Sequence, residues 1–112
     1  MKGDSLGELE ELILLTVGIL YPEAYGVAVM DEIDKQAGRS LNISAVHSVL
    51  TRLEEKGFLK SRLGGATETR GGRDKRLYVL TPAAIKVIRQ SREIRNDLWS
   101  HIPKVVLNGG SV

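Results

Sequence analysis

The chain has 112 residues, 16 Lys/Arg against 14 Asp/Glu, and no cysteine. That length supports one domain with a modest core, near the size at which a partner subunit aids stability. The lack of cysteine excludes a disulfide framework, a thiolate metal site and a cysteine nucleophile. The net charge of +2 conceals a polarised chain: residues 1–38 hold two basic against eight acidic groups, residues 39–76 nine against four, and residues 77–112 five against two. The acidic first third is unsuited to lie against phosphate, whereas the middle third is suited to it.

Ser5 followed by Glu8 has the spacing of a capping box and precedes an apolar-rich run from Leu6 to Leu20, so a first helix is expected there. Leu9, Leu12, Ile13, Thr16, Val17 and Leu20 share one face, and Leu14, Leu15 and Ile19 widen the apolar surface. A helix apolar on more than one side is usually covered from more than one side. In so small a domain the second cover is expected to be another subunit. The run Leu12 to Tyr21 is too short for a bilayer, which needs about 20 residues. Glu8, Glu10 and Glu11 stand where a signal peptide would be basic, so the chain reads as soluble and cytoplasmic.

Pro22 closes the first helix, and a second is expected from Tyr25 to Ala37, stopped by Gly38. Val27, Met30, Ile33 and Ala37 supply its apolar stripe, with Asp31, Glu32, Asp34 and Lys35 toward water. Gly26 inside this helix costs about 1 kcal/mol relative to Ala, which suggests a close packing contact at that point. A short connection over residues 38–43 leads to a third helix, Ser44 to Lys56, with Ile43, Val46, Leu50 and Leu53 directed to a core and Gly57 as its stop. Helix, brief turn, helix is the spacing of a DNA-reading motif.

The face of the third helix left free by the apolar stripe carries Ser44, Ala45, His47, Ser48, Thr51 and Arg52. Short hydrogen-bonding groups and one Arg suit a helix that enters a DNA major groove without steric conflict. Two apolar-rich runs follow, Phe58 to Leu63 and Arg76 to Leu80, around a loop containing Gly64-Gly65 and Gly71-Gly72: a hairpin with a long tip. That tip bears the candidate DNA contacts Arg70, Arg73 and Lys75, next to Arg76. Periodicity leaves open whether Tyr78 and Leu80 or Leu77 and Val79 face the core.

Thr81-Pro82 is a strong helix start, with Thr as cap and Pro in the first turn. The helix is expected to run to His101, before Pro103, with Ala84, Ile88, Ile94, Leu98, Trp99 and Ile102 as its apolar residues. Residues 103–112 read as a tail, so nothing later in the chain is available to cover so long a helix, and dimerisation is the expected solution, with packing wholly within the monomer against the first helix as the alternative. Leu6, Leu9, Ile13, Ile88, Leu98, Trp99 and Ile102 are the candidate interface residues. The expected architecture is α+β, mostly α: a winged helix-turn-helix of three helices and a two-stranded wing over residues 1–80, then a dimerisation helix over 81–102.

In this order the residues resemble the PadR family of bacterial transcriptional regulators. Tyr25-Gly26 opens the second helix, Leu50-x-Arg52-Leu53-Glu54-x-x-Gly57 ends the third, Gly71-Gly72-Arg73 lies in the wing, and Tyr78-x-Leu80-Thr81 leads into the last helix. The resemblance spans Leu6 to Ile102 and is to the shorter branch, which ends after one C-terminal helix. It implies a sequence-specific double-stranded DNA-binding repressor acting as a homodimer on a near-palindromic operator, and released in many members by a small molecule. Many members have Tyr where this chain has His47. His47 is then either a donor to phosphate or a base edge, with binding made sensitive to pH, or an exposed polar helix residue. In some short members a Trp of the last helix stacks on flat aromatic ligands between subunits, which makes Trp99 a candidate effector contact for flat hydrophobic or phenolic compounds. Otherwise Trp99 buries area at the interface.

An enzyme is not expected. His47 and His101 are the only histidines, neither has metal-ligand spacing, and no nucleophile motif occurs, so neither cofactor nor metal is implied. The alternative is a winged helix used as a protein-interaction module, with the basic wing against an acidic partner. Such a module would be expected to show larger apolar anchors on the third helix.

Overall fold

A computed structural model describes residues 6–64 and 75–109. The elements are α1 (Glu8–Leu20), α2 (Gly26–Ala37), α3 (Ile43–Glu55), β1 (Leu59–Leu63), β2 (Arg76–Leu80), α4 (Pro82–Ser100) and a short α5 (Lys104–Leu107). This is the expected mostly helical α+β architecture, with α5 as one turn of helix inside the segment read as a tail. No helix among the described residues is long and apolar enough to cross a membrane.

The core is where α1, α2 and α3 meet the hairpin. Ile13, Leu14, Val17, Val29, Ile33, Val46, Leu50 and Leu53 are essentially inaccessible, and Phe58, Leu59 and Tyr78 close the cluster from the hairpin side. Burial of such side chains is the main favourable contribution to folding. In α2 the inward stripe is Gly26, Val29 and Ile33. Val27, expected in that stripe, is instead exposed, as is Ala37. The helix is rotated so that Gly26, the residue with no side chain, faces the His47 side chain of α3.

Helix ends follow local chemistry. α1 starts at Glu8 with Gly7 as N-cap, and Glu10 Oε1 accepts from the Gly7 N–H at 3.0 Å. The return bond expected of Glu8 is therefore made by Glu10, and Ser5 lies outside the described residues. α3 begins one residue earlier than its periodicity suggested, because the Asn42 side chain accepts from the Ala45 N–H at 2.8 Å. At its other end Phe58 N–H bonds Leu53 O at 2.9 Å and Gly57 N–H bonds Glu54 O at 3.0 Å, with Gly57 at φ 87°. That pair of bonds is a Schellman motif, in which the left-handed residue turns the chain out of the helix.

β1 and β2 are antiparallel, with Leu59 opposite Leu80 and Leu63 opposite Arg76. Tyr78 and Leu80 belong to the core cluster or pack on it. Leu77 is also buried, on the opposite face, where its side chain covers Gly64: a Cβ there would stand 2.8 Å from Leu77 Cδ1. Both faces of the base of the hairpin are thus covered, which is why alternation did not distinguish them. Tyr78 N–H bonds Ala24 O at 2.9 Å, tying β2 to the loop before α2.

The Thr81 side chain caps α4 by accepting from Ala84 N–H at 3.2 Å and donates to Gly57 O at 2.8 Å. The first half of α4 packs on the domain through Ala84, Ile85, Val87 and Ile88, whereas residues from Arg92 to His101 are all exposed. The molecule is correspondingly long, with extents of 62 × 29 × 21 Å.

Candidate nucleic-acid interface

Val46, Val49, Leu50 and Leu53 form the buried stripe of α3. Opposite them Ser44, His47, Ser48 and Thr51, spaced i, i+3, i+4 and i+7, are exposed in one line, with Ala45 half-buried at its margin. A helix whose inner stripe is locked into a core and whose outer stripe is short and polar can approach closely to base edges. Arg52 is exposed at the end of the line, but its Nη1 lies 3.6 Å from Glu10 Oε2, so this guanidinium is partly held by the domain.

Glu10 was not expected in the site, and it anchors it. Its carboxylate is 8% exposed and takes two hydrogen bonds from Lys56 Nζ, at 3.1 and 2.9 Å. Burial pushes its pKa up, but the Gly7 N–H, the Lys56 ammonium and Arg52 together outweigh that and leave it below the usual carboxylate value. The C-terminal end of α3 is thereby fastened to the first turn of α1.

The wing is fastened from two sides. Ser61 Oγ donates toward both oxygens of Glu54 at 3.0 and 2.8 Å and accepts from Arg76 Nη1 at 2.8 Å, linking α3, β1 and β2. On the other side Lys75 Nζ sits 4.1 Å above the centre of the Tyr25 ring, a cation–π contact between the root of the wing and the start of α2. Lys75 is thus placed beside the α2–α3 unit. Arg70 and Arg73, the other two wing candidates, lie outside the described residues.

The imidazole of His47 rests on Gly26: a Cβ at Gly26 would meet His47 Cε1 at 2.5 Å and both ring nitrogens at 3.1 and 3.2 Å. That explains the glycine in α2. His47 is exposed yet seated, which neither sequence alternative described. The signal was available in Gly26 itself, but its partner was not.

The candidate dimer residues separate into three groups. Leu98 and Trp99 are 64% and 63% exposed, and Ile102 is half-buried. Leu6, Leu9 and Ile88 are half-buried against the domain's own core. Ile13 is wholly buried inside the protomer and is removed from the interface set. The periodic face that contains it is the core face, and α1 presents Leu15 and Ile19 outward instead, at 45% and 56% exposure. Among the grooves along α4, two bear on the candidate interface residues. One of about 430 Å³ is lined by Leu6, Val87, Ile94 and Leu98 among others. The other, about 420 Å³, has Leu15, Ile85 and Ile88 as its apolar floor. Trp99 lines neither. Glu11 accepts from Ser91 at 3.0 Å and from Arg95 at 3.2 Å, fixing α4 across α1.

No protein-family model and no curated protein matches the sequence. Solved structures do match in fold. A PadR-family transcriptional regulator from Eggerthella lenta has a TM-score of 0.66 at 23% identity, over 88% of this chain and 86% of that one. A PadR-like transcriptional regulator from Bacillus cereus has a TM-score of 0.69 at 14% identity, over 88% and 90%. A transcriptional regulator from Clostridium thermocellum has a TM-score of 0.64 at 24% identity, over 93% of both chains. The fold is that of PadR-family regulators: a winged helix-turn-helix followed by a long C-terminal helix.

Proposed function

We propose that the chain is a cytoplasmic, sequence-specific double-stranded DNA-binding transcriptional regulator that acts as a homodimer. One observation carries the reading: the outward line Ser44, His47, Ser48 and Thr51 on a helix whose opposite stripe is locked into the core. These groups are too small to anchor a protein partner and are of the right kind to bond base edges. Lys75, with Arg70 and Arg73 by sequence, supplies phosphate contacts that position the domain. The exposed Leu98 and Trp99, the outward Leu15 and Ile19, and the apolar grooves beside α4 support pairing with a second copy. A two-fold dimer would set its reading helices about 34 Å apart, in successive major grooves of a near-palindrome. Repression, and release by a flat hydrophobic or phenolic compound at Trp99, belong to the same reading.

Fluorescence anisotropy against DNA from upstream of the protein's own gene, with a scrambled duplex at two salt concentrations, tests it. Preference for the upstream duplex, with both affinities falling as salt rises, is the expected result. Binding to neither duplex at low salt would favour a protein-interaction module instead.

A further inference from the structure

Three consecutive residues before and at the start of α2 touch β2, the root of the wing and α3. Ala24 O accepts the Tyr78 N–H of β2 at 2.9 Å. The Tyr25 ring lies under Lys75 at the root of the wing. Gly26 lies under the imidazole of His47 on α3. We infer that Gly26 is a specificity-determining positioning residue, which acts by seating His47 so that its ring is presented to DNA in one orientation. This rests on the DNA-reading assignment and deepens it.

The argument is steric. His47 lies in the exposed line of α3, where a side chain with no neighbour would sample several rotamers. The N–C–N edge of its ring is instead set against the Gly26 backbone, closer than any Cβ would allow: 2.5 Å to Cε1 is below the distance real Cβ contacts show. With Ala at this position the ring must swing away, because the alternative is movement of the α2 backbone, which is itself buried at this point. A base contact is directional, and each good one discriminates strongly against the wrong base. A displaced ring therefore alters which base is preferred while leaving phosphate contacts intact. An ordinary packing glycine would affect stability alone.

The test selects preferred sites from random duplexes with the full chain, in wild type, Gly26→Ala, His47→Ala and the double variant. Wild type should yield a defined site. Gly26→Ala should lose preference, by about tenfold, at the same base positions that His47→Ala loses, with an unchanged salt slope on nonspecific DNA. The double variant should match His47→Ala, since the two act through one side chain. The Cε1–H proton resonance of His47, one of two histidines in the chain, should shift on Gly26→Ala. If Gly26→Ala keeps the wild-type site, or alters preference equally without His47, the inference is overturned. If Gly26→Ala unfolds the chain, recovery of Tm in the His47→Ala background supports the seating contact, and equal unfolding there overturns it. Failure of wild type to select any site would instead overturn the DNA-reading assignment itself.

Discussion

Lys56 and Glu10 are 46 positions apart in sequence, and the ammonium of one lies 2.9 Å from the carboxylate of the other. This bond joins the end of α3 to the beginning of α1, and Arg52 reinforces it from one turn earlier. Glu10 is nearly buried, so its charge is sustained only by these cations and the Gly7 N–H. Glu10→Gln should therefore destabilise the chain by about 2 kcal/mol at neutral pH, within the range for loss of a charge-assisted buried bond. The pH dependence has a defined sign. Because the folded pKa lies below the ordinary value of 4.5, the contribution is complete above that value and is lost as pH falls through the folded pKa. Urea denaturation of both proteins should show a gap at pH 7 that closes as the solution is acidified. A gap that persists at low pH would show that Glu10 acts by shape and not by charge.

Gly57 holds φ at 87° with nothing within 4 Å of the position a Cβ would occupy. Substitution there meets no steric obstacle, so any effect is that of left-handed backbone on a residue with a Cβ. Gly57→Ala should cost about 1 kcal/mol, and Gly57→Asn distinctly less, because Asn tolerates that conformation. Thermal melts of the two variants give the comparison. Equal losses would mean that the carbonyl accepting from Thr81, and not φ, controls the site.

Much of this fold was legible because its signals are local. Gly38 and Gly57 stop helices, Thr81-Pro82 starts one, and Val46, Leu50 and Leu53 recur at the helical period, so the helix boundaries fell within a residue or two. The outward line on α3 followed by subtraction. What could not be read depends on contacts between distant segments. Ile13 shares a periodic face with the half-buried Leu9, Leu12 and Leu20, yet only the packing of α2 and α3 decides that it is wholly internal. The spacing of α2 puts Val27 in its apolar stripe, yet the inward face is Gly26, Val29 and Ile33 and Val27 is exposed. Glu10 read as one of several acids in the first turn of a helix. Its partners lie far along the chain, and no spacing rule reaches them.

Phosphate contacts and base contacts should separate under mutation. Arg73→Ala, in the basic stretch between β1 and β2, should weaken binding to every duplex alike and reduce the slope of log affinity against log salt by about one unit. Ser48→Ala, in the middle of the exposed line of α3, should leave that slope alone and change the ranking of duplexes by about 1–3 kcal/mol at one position. Anisotropy titrations over a panel of single-base variants at several salt concentrations measure both quantities. A wing substitution that re-ranked the duplexes would reverse the assigned roles.

Trp99 is the one tryptophan in the chain, and in a single protomer it is 63% exposed. Intrinsic fluorescence therefore reports directly on whether a second copy covers the outer half of α4. If pairing uses this surface, emission should lie toward the blue at high protein concentration and move to the red on dilution through the dimer dissociation range. Sedimentation should show the mass halving over the same interval. Leu98→Asp, which places a charge next to Trp99 without touching the core, should hold the chain monomeric with red-shifted emission at all concentrations. Because α1 and the hairpin do not depend on this residue, the far-ultraviolet circular dichroism should stay unchanged. A dimer that survives Leu98→Asp with Trp99 still solvated would place the pairing surface elsewhere, with the outward Leu15 and Ile19 of α1 next to be substituted.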